Sequence, residues 1–175
     1  MPEVGRAVRE AAVRRLADAA TGFNAKLAAV AGAYGIQAFQ IDWMDGSKNF
    51  FRGFLDPNDI DESVASRYPL VMLYAITSSN DHDSLPRTFS GKVTLGLDFH
   101  VTWRSGNAQR NFEDLGDAIE DAVYEVFSDG NWPQLWGAAS ACQVAISLTK
   151  RPVEMGGEHW RQTLSFRLVF QVDTN

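Results

Sequence analysis

The sequence is poor in the residues from which reactive or cross-linked sites are built. It has one cysteine and three histidines among 175 residues. A single cysteine excludes a disulfide framework within the chain, and three scattered histidines offer little for a metal or catalytic centre. The nucleophile-elbow, zinc-protease and phosphate-loop motifs are also absent from the sequence. We therefore expect no enzymatic activity, no cofactor and no metal site.

The chain also lacks a long apolar run and an excess of basic charge. No stretch approaches the roughly 18 apolar residues that a membrane-spanning helix needs, and the basic N-terminus lacks the apolar segment of a secretory signal. The net charge is −6 and the pI is near 5.0, which argues against general affinity for nucleic-acid phosphates. We expect an intracellular product with no membrane partner and no sequence-specific DNA binding.

Among the histidines, His100 has the most suggestive surroundings. It follows Asp98 by two residues in an alternating run, so both side chains are expected on one face of a strand. Such a pair could act in acid–base chemistry, but a hydrogen-bonded cross-strand contact is the more common arrangement. His82 lies between Asp81 and Asp83 in a polar stretch, where a solvated loop is favoured over cation binding.

The first 34 residues are rich in alanine and have one apolar stripe at spacings of three and four, which predicts helix. Gly22 interrupts the stripe, so one bent helix and two short helices both fit the pattern. Asn24 is a candidate N-cap of a second helix, and Gly32 and Gly35 are placed to end it.

Strand patterns follow, as period-two alternation or as short apolar runs bounded by turn residues. Residues 49–57 form either a short strand or an aromatic loop, 59–67 one or two helical turns, and 79–88 an exposed loop. A second amphipathic helix is predicted at 112–127, and a glycine turn at 154–158 joins the last two strands as a hairpin. The predicted strands are 36–43, 68–78, 89–103, 142–152 and 160–172.

This order predicts one α+β domain over residues 1–175, with a helical segment at 1–34 and a sheet over 36–175 that includes the helix 112–127. Strands that do not alternate regularly with helices favour an antiparallel sheet over a parallel βαβ arrangement. Alternation within the strands predicts one sheet face on a core beneath the helices. The core-facing residues of the last strand are expected to be Trp160, Leu164, Phe166, Leu168, Phe170 and Val172.

Aromatic residues are more numerous than a small core obviously requires, with five tryptophans and eleven phenylalanines. Several lie in loop-like stretches, where they belong either to the core edge or to a protein–protein surface enriched in aromatics and arginine. The polar face of the last strand includes two arginines and favours the second interpretation. The predicted interface residues are Phe50, Phe51, Phe54, Trp132, Trp136, Arg161 and Arg167.

Acidic residues cover one side of the predicted helix 112–127. A solvated helix face is the simplest interpretation, and acids early in the helix also suit its dipole. The functional alternative is a repulsive lining that keeps passing DNA from adhering. The candidate lining residues are Asp114, Asp117, Glu120 and Asp121.

A strand that starts with R-x-Y-P at Arg67, Tyr68 and Pro69 is followed by the long strand GKVTLGLDFHVTW, an F-x-x-L-x-x-A-I helix and a final hairpin. This order, over residues 36–172, resembles the tail terminator and tail-completion proteins of tailed bacteriophages. The alanine-rich N-terminal segment and the insert NFFRGFLDPNDIDE (49–62) depart from the family pattern. They leave the position of the chain within the phage neck open.

The resemblance implies a structural virion protein whose subunits close into a homo-hexameric ring. Such a ring caps the tail tube, ends its polymerisation, joins it to the head and lets DNA pass. The implied partners are the tail tube protein, the head–tail connector protein and a sheath or collar protein. The implied location is the virion neck, after assembly in the host cytoplasm. A head-completion (stopper) protein and a non-viral small-ligand-binding α+β module are the alternatives.

Overall fold

The computed structural model describes residues 4–54, 69–80, 89–104, 108–128, 140–156 and 159–173. Over these residues the chain has three helices and a mixed sheet, which is the α+β fold that the sequence predicts. The elements are α1 (Val4–Leu16), α2 (Phe23–Tyr34), β1 (Phe50–Phe51), β2 (Leu70–Asn80), β3 (Ser90–Arg104), α3 (Ala108–Ser128), β4 (Ser140–Lys150), β5 (Glu154–Gly156) and β6 (His159–Asp173).

Two short helices, and not one bent helix, form the N-terminal segment. After Leu16 the chain turns, and the Asp18 carboxylate accepts hydrogen bonds from the backbone N–H groups of Ala20 and Thr21. The turn brings Gly22 against this backbone, where an added Cβ would lie 2.3 Å from the carbonyl oxygen of Asp18. Glycine is therefore required where α2 begins.

The predicted end of α2 is confirmed, but its predicted N-cap is wrong. Gly35 has a φ of 68°, in the left-handed region that ends many helices, and the N–H of Ile36 donates to the carbonyl of Ala31 at 3.0 Å. The N-cap residue is Gly22, not Asn24. The Asn24 side chain binds the following segment instead.

The prediction of a strand at 36–43 is also wrong, because the backbone of this segment binds side chains in place of a strand. The Asn24 side chain donates to the carbonyl of Ile41 and accepts from the N–H of Ile41, with both bonds 2.9 Å long. The Asn49 side chain accepts from the N–H of Asp42 at 3.0 Å. Because these side chains satisfy backbone polar groups of the segment, its alternating apolar residues can be buried without strand-to-strand hydrogen bonds.

The sheet has the strand order β1-β2-β3-β6-β4, and β5 pairs with β6 on the side of β4. The strand β6 pairs antiparallel with β3 on its other side, and β3 pairs antiparallel with β2. The two-residue strand β1 pairs parallel with the start of β2 and makes the sheet mixed. The long ladders are antiparallel, as predicted. The strand β5 occupies the first part of the predicted turn 154–158.

One face of the sheet lies under all three helices. The ring centroid of Phe23 on α2 is 4.9 Å from that of Phe99 on β3, and Phe127 on α3 lies 6.1 Å from Phe170 on β6. Burying side chains of this size contributes about 1.5–3 kcal/mol each. The helix α1 also contacts β2 and β3, so both N-terminal helices pack on the sheet of their own chain. In the last strand Leu164, Phe166, Leu168, Phe170 and Val172 are confirmed as core residues, and Trp160 is half-buried.

Some predictions fall outside the described residues. They include the helical turns at 59–67 and the candidate interface residues Trp132 and Trp136. The strand β2 extends to Asn80, and most of the predicted loop 79–88 lies beyond the described residues. No helix in the described part of the chain is long and apolar enough to cross a membrane.

Candidate subunit interface

The sheet face opposite the helices contains both predicted interface arginines. In one rung of the sheet, Arg167 on β6 lies between Gly96 on β3 and Ser147 on β4. The Arg167 side chain is exposed, and no carboxylate of the described residues forms an ion pair with it. Arg161 is half-buried and lies directly opposite Glu154 on β5. The predicted parity of the last strand is thus confirmed for these two residues.

Next to Arg167, the ring of Tyr74 crosses from β2 onto β3. Tyr74 lies opposite Gly96 in the ladder, and a Cβ added at Gly96 would be 2.5 Å from the Tyr74 ring. The Tyr74 hydroxyl donates a hydrogen bond of 3.0 Å to Oδ2 of Asp98. Burial, with the Asp98 carboxylate adding to it, raises the pKa of Tyr74 to about 12. The phenol therefore remains a proton donor to Asp98 at any physiological pH.

Asp98 and His100 lie on this face as predicted, but each binds a different strand. His100 Nδ1 lies 3.0 Å from the Thr163 hydroxyl on β6, whereas Asp98 binds Tyr74 on β2. Burial lowers the pKa of His100, opposed by the charge of Asp98 and reinforced by that of Arg151. The geometry is that of two cross-strand contacts, not of an acid–base pair.

Both side chains also have a buried polar atom without a partner. Asp98 is 5% exposed and His100 is 6% exposed. Oδ1 of Asp98 and Nε2 of His100 have no hydrogen-bond partner among the described residues. The described residues contain no group of three histidine, cysteine or acidic side chains that could hold a metal ion.

The aromatic residues predicted for the interface are divided between core and surface. Phe50 is fully buried, and its ring lies 5.0 Å from that of Trp43, so its assignment to a surface is wrong. Phe51 is half-buried beside Leu70. Phe54 is 63% exposed and packs edge-on against Tyr74 at 5.4 Å. Among these three phenylalanines, Phe54 is the one available to a partner.

The acidic side of α3 is largely paired within the chain. Lys150 on β4 forms ion pairs with Asp117 and with Glu120, the latter at 3.5 Å. Asp121 accepts a hydrogen bond from the Tyr34 hydroxyl at 2.6 Å, which raises the pKa of that hydroxyl. Asp114 is partly exposed. Pairing favours the solvated-face interpretation, and the DNA-facing lining stays a prediction.

The two predicted surfaces lie on opposite sides of the subunit. The side chain of Arg167 points away from the helices, because its neighbours Phe166 and Leu168 face the core. The acids of α3 lie on the helical side, where Asp117 and Glu120 reach Lys150. One lumen therefore cannot be lined by both sets of residues.

The outer edges of β2 and β4 are surface features that the sequence analysis missed. Among the described strands, β2 pairs with β1 only at Val71 and Met72, and β4 pairs only with β6. Both outer strands have a shift of register, which leaves Ile76 and Val144 as the extra residues. These side chains are 41% and 50% exposed. Val144 is thus exposed although it lies only two residues from the half-buried Ile146.

Comparison with known proteins adds no family to this geometry. No protein-family model matches the chain, and no curated protein matches its sequence.

Proposed function

We propose that the chain is a structural virion protein of a phage neck, a tail terminator that caps the tail tube. In this proposal its subunits form a homo-hexameric ring, which ends tube polymerisation, contacts the head–tail connector and lets DNA pass. A sheath or collar protein is a further candidate partner.

One observation supports this proposal most strongly. The sheet has one face under three helices, while its other face exposes Arg167 and its outer strands expose apolar side chains. A monomeric protein usually pairs, covers or charges such strand edges. Exposed arginine and aromatic side chains, here Arg167 and Phe54, are typical of protein–protein interfaces. The subunit is suited to lateral association with further copies.

The polar pair on the sheet favours a structural role over an enzymatic one. Asp98 and His100 are used in contacts to β2 and β6, and both are almost completely buried. A general base must reach the proton that it abstracts, directly or through one water molecule. Side chains that are engaged between strands are poorly placed for that task.

The position of the ring on the tail tube can be tested by assembly with the tube protein of the same virus. Purified chain added to polymerising tube subunits should give shorter tubes with a ring at one end. Tubes of unchanged length and without end density would contradict the terminator assignment. Recovery with filled heads in place of tubes would instead support the stopper alternative.

The arginine face can be tested by charge reversal. Arg167→Glu should abolish ring formation while the monomer stays folded, because the substituted side chain is exposed. Lys48→Glu, at an exposed turn residue, is the matched control and should leave the ring intact. Rings that form equally well from both variants would exclude Arg167 from the subunit contact.

A small-ligand-binding role has one observation in its favour. A cavity of about 350 Å³ lies between the segment after α2, the start of β2 and α3. Its lining combines apolar side chains with the polar Gln37 and Thr102, as in many ligand sites. This alternative predicts a monomer or dimer whose thermal stability rises when a ligand is added. The cavity lining includes Ala38, Phe39, Pro69, Val101 and Leu115.

A further inference from the structure

The directions of the outer strands make the two edges of the sheet complementary. β2 and β6 both run antiparallel to β3, and β4 runs antiparallel to β6, so β4 runs opposite to β2. Rotation about an axis along the strands leaves strand directions unchanged. If one copy is related to the next by such a rotation, β4 and the neighbour's β2 meet as an antiparallel pair. This is the pairing of the long ladders within the subunit.

The exposed apolar residues on these edges lie at nearly the same height in the sheet. Ala75 on β2 and Ile146 on β4 belong to the same rung, which runs through Leu95 and Leu168. Ile76 is the extra residue that directly follows Ala75. Val144 is the extra residue between Gln143 and Ala145, close to the same rung. In copies that are related by rotation about the strand direction, the register shift at Ile76 of one copy would therefore lie opposite the register shift at Val144 of the next copy.

A groove lies beside Val144 and can accept an apolar side chain. It has a volume of about 380 Å³ and lies between α3 and β4. At its edge the Tyr124 hydroxyl donates to the carbonyl of Ile146 at 3.3 Å, so this carbonyl takes a donor from outside the strand ladder. The groove is lined by Tyr124, Glu125, Ser128, Val144, Ala145 and Ile146.

Bulges on edge strands can also serve to prevent association. Charged side chains and prolines are further devices that protect strand edges, and these bulges instead expose isoleucine and valine. The exposed part of β2, from Ala75 to Ser79, has no charged residue. The edges therefore have a composition that is suited to pairing and not to repulsion.

We propose that the outer edge of β4 in one copy pairs antiparallel with the outer edge of β2 in the next copy, with Ile76 entering the groove beside Val144. This contact is heterologous, since each copy uses a different edge toward each neighbour, and it closes into a ring when the rotation closes. The inference rests on the proposed ring and adds a strand-edge contact to the Arg167 face that the charge-reversal test addresses.

Disulfide cross-linking distinguishes this contact from other modes of pairing. In a Cys142→Ser background, Ile76→Cys and Val144→Cys are prepared separately and together, and the proteins are oxidised at a concentration at which the parent assembles. Each single variant should stay uncross-linked, an equal mixture should give a covalent dimer, and the double variant should give a ladder that ends at the ring. A covalent dimer of the Val144→Cys variant alone would overturn the proposal in favour of a symmetric β4–β4 contact.

Charge introduced at the edges supplies a second readout. Ile76→Asp and Val144→Asp should each weaken assembly at least about tenfold in sedimentation equilibrium, because an exposed apolar side chain is replaced by an ion that the contact would bury. Met44→Asp is the matched control, since Met44 is an exposed apolar residue in a turn outside β2 and β4. Circular dichroism confirms that each variant is folded.

The outcomes separate the edge contact from the proposed function. Rings that persist in both edge variants would overturn the edge contact and leave the neck assignment standing. A parent chain that forms no ring, either alone or on tail tubes, would overturn both.

Discussion

The hydroxyl of Tyr74 donates a hydrogen bond to Oδ2 of Asp98 across the β2–β3 ladder, at 3.0 Å. Asp98 is almost completely buried, and its other carboxylate oxygen has no partner among the described residues. Tyr74 is thus the one hydrogen-bond donor to this carboxylate within the described part of the chain. This contact ties β2 to β3 on the polar face of the sheet, as the contact between His100 and Thr163 ties β3 to β6.

Removing the Tyr74 hydroxyl should therefore destabilise the fold more than its exposure suggests. Tyr74→Phe leaves the Asp98 carboxylate unpaired and should lower the free energy of unfolding by about 1–3 kcal/mol in urea denaturation. Tyr124→Phe is the matched control, because Tyr124 is 40% exposed and its bond to Ile146 is 3.3 Å long. An equal decrease of the unfolding free energy in the two variants would show that the hydrogen bond to Asp98 contributes no more to stability than an exposed one.

Gly96 is predicted to be essential for the same contact. In Gly96→Ala the new methyl group would lie 2.5 Å from the Tyr74 ring, so the ring must move away and lose Asp98. We expect a loss of about 1–3 kcal/mol in unfolding free energy. Gly32→Ala, at a helical position where a Cβ meets nothing within 4 Å, should instead stabilise by about 0.5–1 kcal/mol. A neutral Gly96→Ala variant would contradict the described ring position.

His100 should make stability depend on pH in the neutral range. Burial holds the pKa of His100 below its ordinary value of 6.5, so the unfolded chain binds more protons than the folded chain as the pH falls through 6.5. The unfolding free energy should therefore rise with pH in this window, and decrease as the solution is acidified.

The matched variant for this prediction is His100→Gln, which has no titratable imidazole. Its unfolding free energy, followed by denaturant titration between pH 8 and pH 5.5, should change less with pH than that of the parent chain. Parallel curves for the two proteins would show that His100 does not contribute to the slope.

The acidic side of α3 gives a prediction about DNA. If these acids line the path of DNA, neutralising Asp114, Asp117, Glu120 and Asp121 to their amides should increase DNA retention by purified rings in a filter-binding assay. Neutralising four acids elsewhere, Glu10, Asp18, Asp42 and Asp45, changes the net charge equally and is the control. Unchanged retention, or an equal increase in both variants, would exclude a specific lining.

Periodicity predicted the elements whose residues alternate over many positions. The strands β3 and β6 and the helix α3 are long, and each has one consistently apolar face, so their patterns are regular. The segment 36–43 shows the same alternation, but Asn24 supplies its hydrogen bonds from another element. The sequence of the segment 36–43 itself therefore does not show that a side chain, and not a neighbouring strand, forms these hydrogen bonds.

The surfaces were harder to predict because they depend on contacts between distant residues. Phe50 lies in a two-residue strand, too short to have a period, and its burial follows from packing on Trp43. Ile76 and Val144 are exposed at the register shifts of the two outer strands, which the pattern of a single strand does not show. The outward position of Arg167 was predicted correctly, because β6 is regular along its whole length, whereas its role in an interface stays a prediction.

The central claim is that this subunit forms a ring, and native mass spectrometry with negative-stain images of the same sample tests it most directly. The purified chain should give one closed oligomer of six copies with a central hole, alone or on tail tubes. A chain that remains monomeric at every concentration and does not bind tail tubes would contradict the account.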